Sequence, residues 1–404
     1  MDDELNDDVP QLLEIDDLPE AGPSTHHERP KVPITLITGY LGAGKSTLLE
    51  YILTADHGYR IAVCMNDFGD TTDIEARSLT LFDPNTRSQS TSFLSLPNGC
   101  LCCSVKDLGI AAIEEMVASQ AGGVDWVVVE LTGVANPAPI AKSFWANEEM
   151  GDLMLDGVIC VVDSRNVLKA GSKKLSYIQQ LAGPANECQR QVASADVILL
   201  NKVDLVTAPM LDEVERVVRG INSTLRIHRT ERSKLDLRNL FGVRAFSTNT
   251  EPDEPNRGQS QNPLEHVHDV VDRHEGEHVH TDITTVLIPL PTLSAHQFTQ
   301  LNAFLECLLW EGKLPACSST DQTPLETVPE MEILRTKGYI RIEDGRTFIL
   351  QGVTDIFELK QLSKENEDTQ RAHREGGKVV FIGRGVTLGL HSALEEYIGI
   401  EALV

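Results

Sequence analysis

The chain has 404 residues, of which 41% are hydrophobic, and a formal net charge of −26. This length allows two domains with unstructured connections, and the negative charge disfavours binding to nucleic acid or to anionic membranes. Because no stretch approaches 18 consecutive apolar residues, we predict no membrane span. Most of the eight cysteines are scattered, which favours a reducing compartment, cytoplasmic or also nuclear, over a secreted disulfide framework.

Residues 1–30 form an acidic segment with few aromatic residues, and we predict that this tail is disordered. Its acidic start argues against a secretory or mitochondrial targeting peptide. The apolar stretch VPQLLEIDD, Val9–Asp17, interrupts the charges. It is either a chance cluster in a solvated arm or a short linear motif that docks on a partner.

Residues 31–250 alternate short apolar runs with helical stretches. The runs are ITLIT, RIAVCM, DWVVVEL, GVICVVD and DVILLN. Continuous apolar character is typical of parallel strands that are covered by helices on both faces. We therefore predict the α/β class, with a mostly parallel, doubly wound sheet.

The segment between the first run and its helix, GYLGAGKST, fits the phosphate-binding pattern G-x-x-x-x-G-K-[ST]. The backbone N–H groups of such a loop and the following helix N-terminus attract phosphates. We predict that Lys45 contacts the outer phosphates, that Ser46 ligates Mg²⁺ and that Thr47 lies near the α-phosphate. The other predicted nucleotide-binding residues of the loop are Gly39, Gly42, Ala43 and Gly44.

Two acidic residues each end an apolar run. Asp67, in MNDFGD, is a candidate carboxylate for the nucleotide site, or part of an ordinary turn. Glu130, in ELTGVANP, is placed to hold Mg²⁺ or its water, or to orient the attacking water. Gly133, three residues later, would let the backbone N–H approach the γ-phosphate. Lys45, Glu130 and Asp67 are therefore the predicted catalytic residues.

The stretch LPNGCLCCSV contains Cys100, Cys102 and Cys103. A capping box, Ser104 with Asp107, predicts a helix directly after them, and a helix N-terminus favours thiolates. Thiolates bind Zn²⁺ well, and three ligands leave one position open for water, a distant side chain or a partner. A redox pair of Cys100 and Cys103 and simple core packing are the alternatives.

These cysteines fall between the phosphate loop and Glu130. In GTPases this interval contains segments that are ordered by the γ-phosphate and released on hydrolysis. A metal site there would respond to the nucleotide, and by linkage metal and GTP would change each other's affinity equally.

The run DVILLN ends in NKVD, which supplies Asn201, Lys202 and Asp204. A carboxylate such as Asp204 can accept from both N1–H and the exocyclic amine of guanine, whereas adenine lacks this donor pair. Lys202 can cover the base with its aliphatic stem, and Asn201 can connect this loop to the phosphate loop. The motif favours GTP over ATP.

Residues 251–281 form a polar, His-rich linker, and residues 282–404 are predicted to form a smaller α+β domain. The linker histidines either capture Zn²⁺ weakly or only make the linker polar. They are His266, His268, His274, His278 and His280. In the domain, apolar residues at helical spacing predict a helix from about Ser294 to Trp310 with one face in the core.

In this order, GYLGAGKST, NGCLCC, ELTGVANP and NKVD closely resemble the motifs of the CobW-type metal-handling GTPases. RTKGYI, Arg335–Ile340, resembles the R-x-K-G stretch of their C-terminal domain, and the resemblance covers roughly residues 32–400. It implies a GTPase domain joined to a smaller C-terminal domain, and GTP hydrolysis coupled to metal delivery. It also implies that Cys100, Cys102 and Cys103 are the metal ligands and that Glu130 is the acidic residue of the E-x-x-G element.

The tail is similar to the C-P-E-L-V-P-I-D-E motif of one branch of this family, the eukaryotic zinc-regulated GTPase metalloprotein activators. Pro10, Leu12, Ile15 and Asp16 match, whereas Val9 replaces the cysteine and Gln11 the first glutamate. The resemblance implies docking on the zinc-finger region of methionine aminopeptidase type 1. We therefore predict a zinc metallochaperone for this client; the alternatives are a zinc buffer or sensor without a client, a chaperone for another metal such as cobalt, and a thiol-redox switch.

Overall fold

The computed structural model describes residues 30–55, 57–65, 76–83, 88–95, 108–120, 123–166, 185–246, 282–315, 331–362 and 376–400. Several predicted features lie outside these residues, namely Val9–Asp17, Asp67, the three clustered cysteines and the His-rich linker. Among the helices of the described ranges, none combines the length and the apolar character that crossing a membrane requires.

The N-terminal part of the described chain alternates strands and helices. Its elements are β1 (Val32–Thr38), α1 (Lys45–Thr54), β2 (Ile61–Met65), β3 (Ala76–Asp83), β4 (Ser88–Ser95), α2 (Leu108–Ala118), β5 (Trp126–Glu130), α3 (Pro137–Ala146), β6 (Leu153–Asp163), α4 (Glu187–Ser194), β7 (Val197–Asn201), a 3₁₀ turn (Val203–Leu205), α5 (Ala208–Ile221), β8 (Arg226–Arg229) and a 3₁₀ turn (Leu237–Asn239).

The strands join into one eight-stranded sheet in the order β4-β3-β2-β5-β1-β6-β7-β8. From β2 to β8 every neighbouring pair is parallel, because helices carry the chain back between strands. The chain winds outward from β1 in both directions, which confirms the predicted doubly wound α/β class. At one edge β3 and β4 extend the sheet with antiparallel pairing, which the sequence had not indicated.

The C-terminal part contains β9 (Ile283–Leu290), α6 (Ala295–Trp310), β10 (Glu332–Arg341), β11 (Thr347–Val353), β12 (Ile356–Gln361), β13 (Gly377–Arg384) and α7 (Leu388–Ile398). The strands form an antiparallel sheet in the order β12-β11-β10-β13-β9. The predicted α6 begins after a capping box of Ser294 and Gln297 and buries one face against this sheet. The smaller α+β domain is thus confirmed.

The two sheets share a hydrophobic core. Helices α3, α4 and α5 bury apolar residues such as Phe144, Val192 and Val218 beneath the N-terminal sheet, and the same cluster contains Leu334 and Val380 of the C-terminal sheet. The layer formed by α3, α4 and α5 therefore lies between the two sheets, with the N-terminal sheet on one side and the C-terminal sheet on the other. On the opposite face of the N-terminal sheet, α1 packs in a second cluster.

Charged residues also cross this boundary, and most of them meet near the end of α4. Asp196, buried just after α4, binds Arg335 and Lys337 of β10, with Lys337 Nζ 3.0 Å from Asp196 Oδ1. Arg190 on α4 pairs with Glu332 of β10 at 3.0 Å. The R-x-K-G stretch of the sequence thus supplies both cations that neutralise Asp196.

Candidate functional site

The phosphate-binding sequence lies between β1 and α1, at the carboxyl edge of the parallel sheet. Gly39 and Gly44 have φ of 138° and 116°, which side chains rarely adopt. A Cβ at Gly44 would also clash with the amide of Asn201, and one at Gly39 with the carbonyl of Val161. The glycines are therefore required for a tight loop that packs against β6 and β7.

Lys45 is the first residue of α1 and is only 8% exposed. Its Nζ donates to the carbonyl of Gly39 at 2.8 Å, so the side chain curls back over the loop. Burial lowers the pKa of Lys45, and the nearby charge of Glu130 opposes this shift. Ser46 and Thr47 follow in the first turn of α1, where both are exposed.

Glu130 ends β5, which lies beside β1, and is partly buried. Three residues later, Gly133 is buried against the phosphate loop: a Cβ there would lie 2.6 Å from Leu41 Cδ2 and 2.9 Å from Leu41 N. Only glycine allows this approach. The loop after β5 and the phosphate loop are consequently in direct contact.

Asn201 ends β7 and joins three segments. Its Nδ2 donates to the carbonyl of Ala43 at 2.9 Å, and its Oδ1 accepts from Ser233 N at 2.8 Å and from Thr230 Oγ1 at 3.2 Å. Ser233 Oγ in turn donates to the carbonyl of Gly44 at 3.1 Å. The NKVD loop, the segment after β8 and the phosphate loop therefore form one hydrogen-bonded unit.

Lys202 has a left-handed backbone, with φ of 62°. Its Nζ donates to the carbonyl of Gly42 at 2.7 Å and to Asp163 Oδ2 at 2.6 Å. Asp163 is buried at the end of β6 and also accepts from Asn166 Nδ2 at 2.7 Å. Asp204 lies in the following 3₁₀ turn with its side chain exposed to solvent.

The structure brings the predicted residues of the phosphate loop, the NKVD loop and the loop after β5 together at one edge of the sheet. The three cysteines and Asp67 are outside the described residues, and within the described part no group of three metal-ligating side chains occurs. Sequence reasoning missed Thr230, Ser233 and Gln191. The sequence marks Ser233 only weakly, as a small hydroxyl residue shortly after the strand that follows NKVD.

Comparison with known proteins gives two family matches. Residues 33–229 match the model described as "CobW/HypB/UreG, nucleotide-binding domain". Residues 318–397 match the model described as "Cobalamin synthesis protein cobW C-terminal domain".

Similar individual proteins include "Zinc-regulated GTPase metalloprotein activator 1" of Saccharomyces cerevisiae, 32% identical over 360 residues, which cover 84% of this chain and 78% of that protein. "Zinc chaperone YjiA" of Escherichia coli is 32% identical over 219 residues, 53% of this chain and 62% of that protein. A solved structure, "Crystal structure of Zn(II)-bound YjiA GTPase from E. coli", covers 92% of this chain and 99% of that chain, with a TM-score of 0.60 and 21% identity. This structural likeness supports the fold alone.

Proposed function

The chain belongs to the CobW/HypB/UreG family and is a GTPase, and from that premise we propose that it uses GTP hydrolysis to deliver zinc to a client metalloenzyme, methionine aminopeptidase type 1. The structural observation that carries the proposal is the bonded unit of Asn201, Lys202 and the phosphate loop. In this unit the NKVD motif is bonded to the phosphate loop, which supports a site for guanine next to one for the phosphates. The zinc cargo is supported by the names of the relatives, two of which are called zinc chaperones and one a zinc-regulated metalloprotein activator.

The proposed hydrolysis uses groups that already surround the phosphate loop. On nucleotide binding, Lys45 exchanges its bond to the carbonyl of Gly39 for the outer phosphates, where its charge offsets negative charge that builds up in the transition state. Gly133 presents its backbone N–H to the γ-phosphate. Glu130, close enough to influence the pKa of Lys45, orients the attacking water. Asp67 is proposed as a second carboxylate of this site.

The residues present fit a magnesium ion. Ser46 offers an exposed hydroxyl one position after Lys45, and Glu130 offers a carboxylate at the end of the adjacent strand, and oxygen donors of this kind are what Mg²⁺ prefers. When bound, Mg²⁺ neutralises charge on the β- and γ-phosphate oxygens. Ser46 would hold the ion directly; holding the ion or its water is the alternative role of Glu130 to orienting the attacking water.

Base recognition gives the first prediction. Asp204→Asn exchanges a carboxylate, which accepts two hydrogen bonds from guanine, for an amide that can donate to the 2-carbonyl of xanthine. Because hydrogen bonds to charged groups are worth about 1.5–3 kcal/mol, we expect at least a tenfold (~1.4 kcal/mol) loss of GTP affinity and a gain for xanthosine triphosphate. Competition binding with both nucleotides measures this. An unchanged preference for GTP would remove Asp204 from the base site.

The cysteines give the second prediction. If Cys100, Cys102 and Cys103 hold the zinc cargo, replacing all three by serine abolishes tight zinc binding and removes any effect of Zn²⁺ on the rate of GTP hydrolysis. Equilibrium dialysis against zinc and a phosphate-release assay measure the two effects. Cys307→Ser, which changes a cysteine on α6 far along the chain, is the matched control. A triple variant that binds and responds to zinc normally would contradict the cargo site.

The client gives the third prediction. Deleting residues 1–20 removes the stretch Val9–Asp17, and we expect the shortened protein to hydrolyse GTP normally while losing activation of methionine aminopeptidase type 1. A matched full-length variant carries Pro10→Ala and Leu12→Ala. The readout is peptidase activity of metal-free client after incubation with the zinc-loaded protein and GTP. Activation that is indifferent to the tail would favour a zinc buffer or sensor without a dedicated client.

A further inference from the structure

Gln191 is a buried polar residue in the helix layer, and it lies outside all of the sequence motifs described above. It lies on α4, its side chain is fully buried, and its Nε2 donates to the carbonyls of Gly133 and Ala135, both at 3.1 Å. One amide thus bonds two peptides of the loop that follows Glu130. The same loop packs on the phosphate loop. Gln191 therefore bonds directly to Gly133, the residue whose backbone N–H is proposed to contact the γ-phosphate.

The helix that carries Gln191 is bonded to the C-terminal sheet. Arg190, the residue before it, pairs with Glu332, and Asp196, just past the end of α4, binds Arg335 and Lys337. All three of these partners lie on β10. Asp196 Oδ2 also accepts from Val158 N of β6 at 3.0 Å, so the end of α4 is fixed to both sheets. The loop at Gly133 and strand β10 are therefore attached to the same short helix.

In the described part of the chain, only the amide nitrogen of Gln191 bonds to the loop. Among the described residues its Oε1 is buried and without a hydrogen-bond partner. A half-turn about the last side-chain bond would bring this oxygen against the carbonyls of Gly133 and Ala135, and because acceptors do not bond to each other the amide has one bonded orientation. Gln191 therefore holds the carbonyls of Gly133 and Ala135 in one arrangement.

We propose that Gln191 is a positioning residue that links the loop at Gly133 to β10 through α4, so that the nucleotide state and the C-terminal sheet influence each other. The inference rests on the proposed function in one respect, the placement of Gly133 at the γ-phosphate. By linkage the influence is reciprocal: whatever shifts β10, a client protein included, also shifts the preference for GTP over GDP.

The test compares two buried amides on the full chain. Gln191→Met keeps the size of the side chain and removes its bonds to the loop. The matched control is Asn222→Leu, because Asn222 is also fully buried and its Nδ2 donates to carbonyls around the end of α4, Ala193 at 3.0 Å and Ala195 at 3.1 Å, without touching the Gly133 loop. The measurements are kcat and KM for GTP, and hydrogen exchange of the Gly133 loop and β10 with a non-hydrolysable GTP analogue or GDP.

In the unaltered protein, the analogue should slow exchange in both the Gly133 loop and β10 relative to GDP. Gln191→Met should lower kcat about fivefold or more, because the Gly133 loop loses the contact that positions it, with a smaller change in KM, and abolish the difference at β10. Asn222→Leu should lower the melting temperature yet retain kcat and the difference at β10.

Three results would overturn the inference without bearing on the placement of Gly133. They are a Gln191→Met protein with normal kcat and a normal response at β10, equal losses in both variants, and a β10 that never responds to the nucleotide. If the Gly133 loop itself exchanges equally with both nucleotides, the placement of Gly133 at the γ-phosphate is wrong, and the inference is overturned with it. A failure of zinc delivery would leave all of these measurements unaffected.

Discussion

Replacement of Lys45 by methionine is expected to lower kcat/KM for GTP by at least about a hundredfold, the usual cost of removing one preorganised group that stabilises transition-state charge. The geometry gives the reason: the ammonium group is held inside the phosphate loop by the carbonyl of Gly39 and is almost excluded from water. In that environment its charge acts strongly on phosphate oxygens. Phosphate release under multiple-turnover conditions measures the loss.

The same variant should fold normally. Burial lowers the pKa of Lys45, which means that keeping its charge in the folded loop costs free energy, so removing the charge should leave the melting temperature unchanged or slightly raised. Lys142→Met is the matched control, because Lys142 is partly exposed, binds Asp355 at 2.8 Å and lies on α3, away from the loop. A Lys45→Met protein with more than a tenth of normal kcat/KM would contradict the proposed role.

Replacement of Asp196 by alanine is expected to destabilise the protein by about 3–5 kcal/mol, because it leaves the buried Arg335 and the adjacent Lys337 without their common counter-ion. Arg335 is 2% exposed and lies 4.3 Å above the ring of Phe246, so it cannot turn to water. Chemical denaturation monitored by circular dichroism measures the change. Asp212→Ala, which removes an exposed partner of Arg229, should leave the transition in place.

The contribution of Asp196 to the free energy of unfolding should decrease as the pH falls. Burial alone would raise the pKa of its carboxyl, but the charges of Arg335 and Lys337 outweigh burial and hold it below the usual 3.8. The ionised carboxylate therefore stabilises the fold above about pH 4, and this contribution is lost as the pH falls through the lowered pKa. The difference in unfolding free energy between the unaltered protein and Asp196→Ala should shrink below pH 4. A difference that grows with acid would contradict this account.

Much of the fold could be predicted because its central strands have a distinctive sequence. A strand buried on both faces needs consecutive apolar residues, as in VILLN of β7, and such runs are rare elsewhere in the chain. The antiparallel strands β3 and β4 were missed because ARSLTLFD and SQSTSFLS mix polar with apolar residues and do not show this pattern. Helix α7 was missed because its sequence, LGLHSALEEYI, is short and begins without a side-chain cap.

The candidate site likewise contains residues that the sequence predicts and residues that it does not. The phosphate loop and NKVD are contiguous in sequence, and their chemistry requires particular residue types at fixed spacing, so both could be found by inspection. Ser233 and Gln191 act through partners 32 and 58 residues away, Asn201 and Gly133 respectively, and only the sheet topology brings these pairs together. The spacing of residues along the chain contains no information of that kind.

The core shared by α3–α5 and the C-terminal sheet has a consequence for synthesis on the ribosome. The helices are complete once Ile221 has emerged, but the apolar face that they turn away from their own sheet is covered only by later residues such as Leu334 and Val380. About 110 residues separate Ile221 from Leu334, which at ordinary translation rates is a wait on the order of ten seconds. Throughout this interval the nascent chain exposes a surface that is prone to self-association, so its yield of folded protein should depend on protection by the cell's folding machinery until the second sheet arrives.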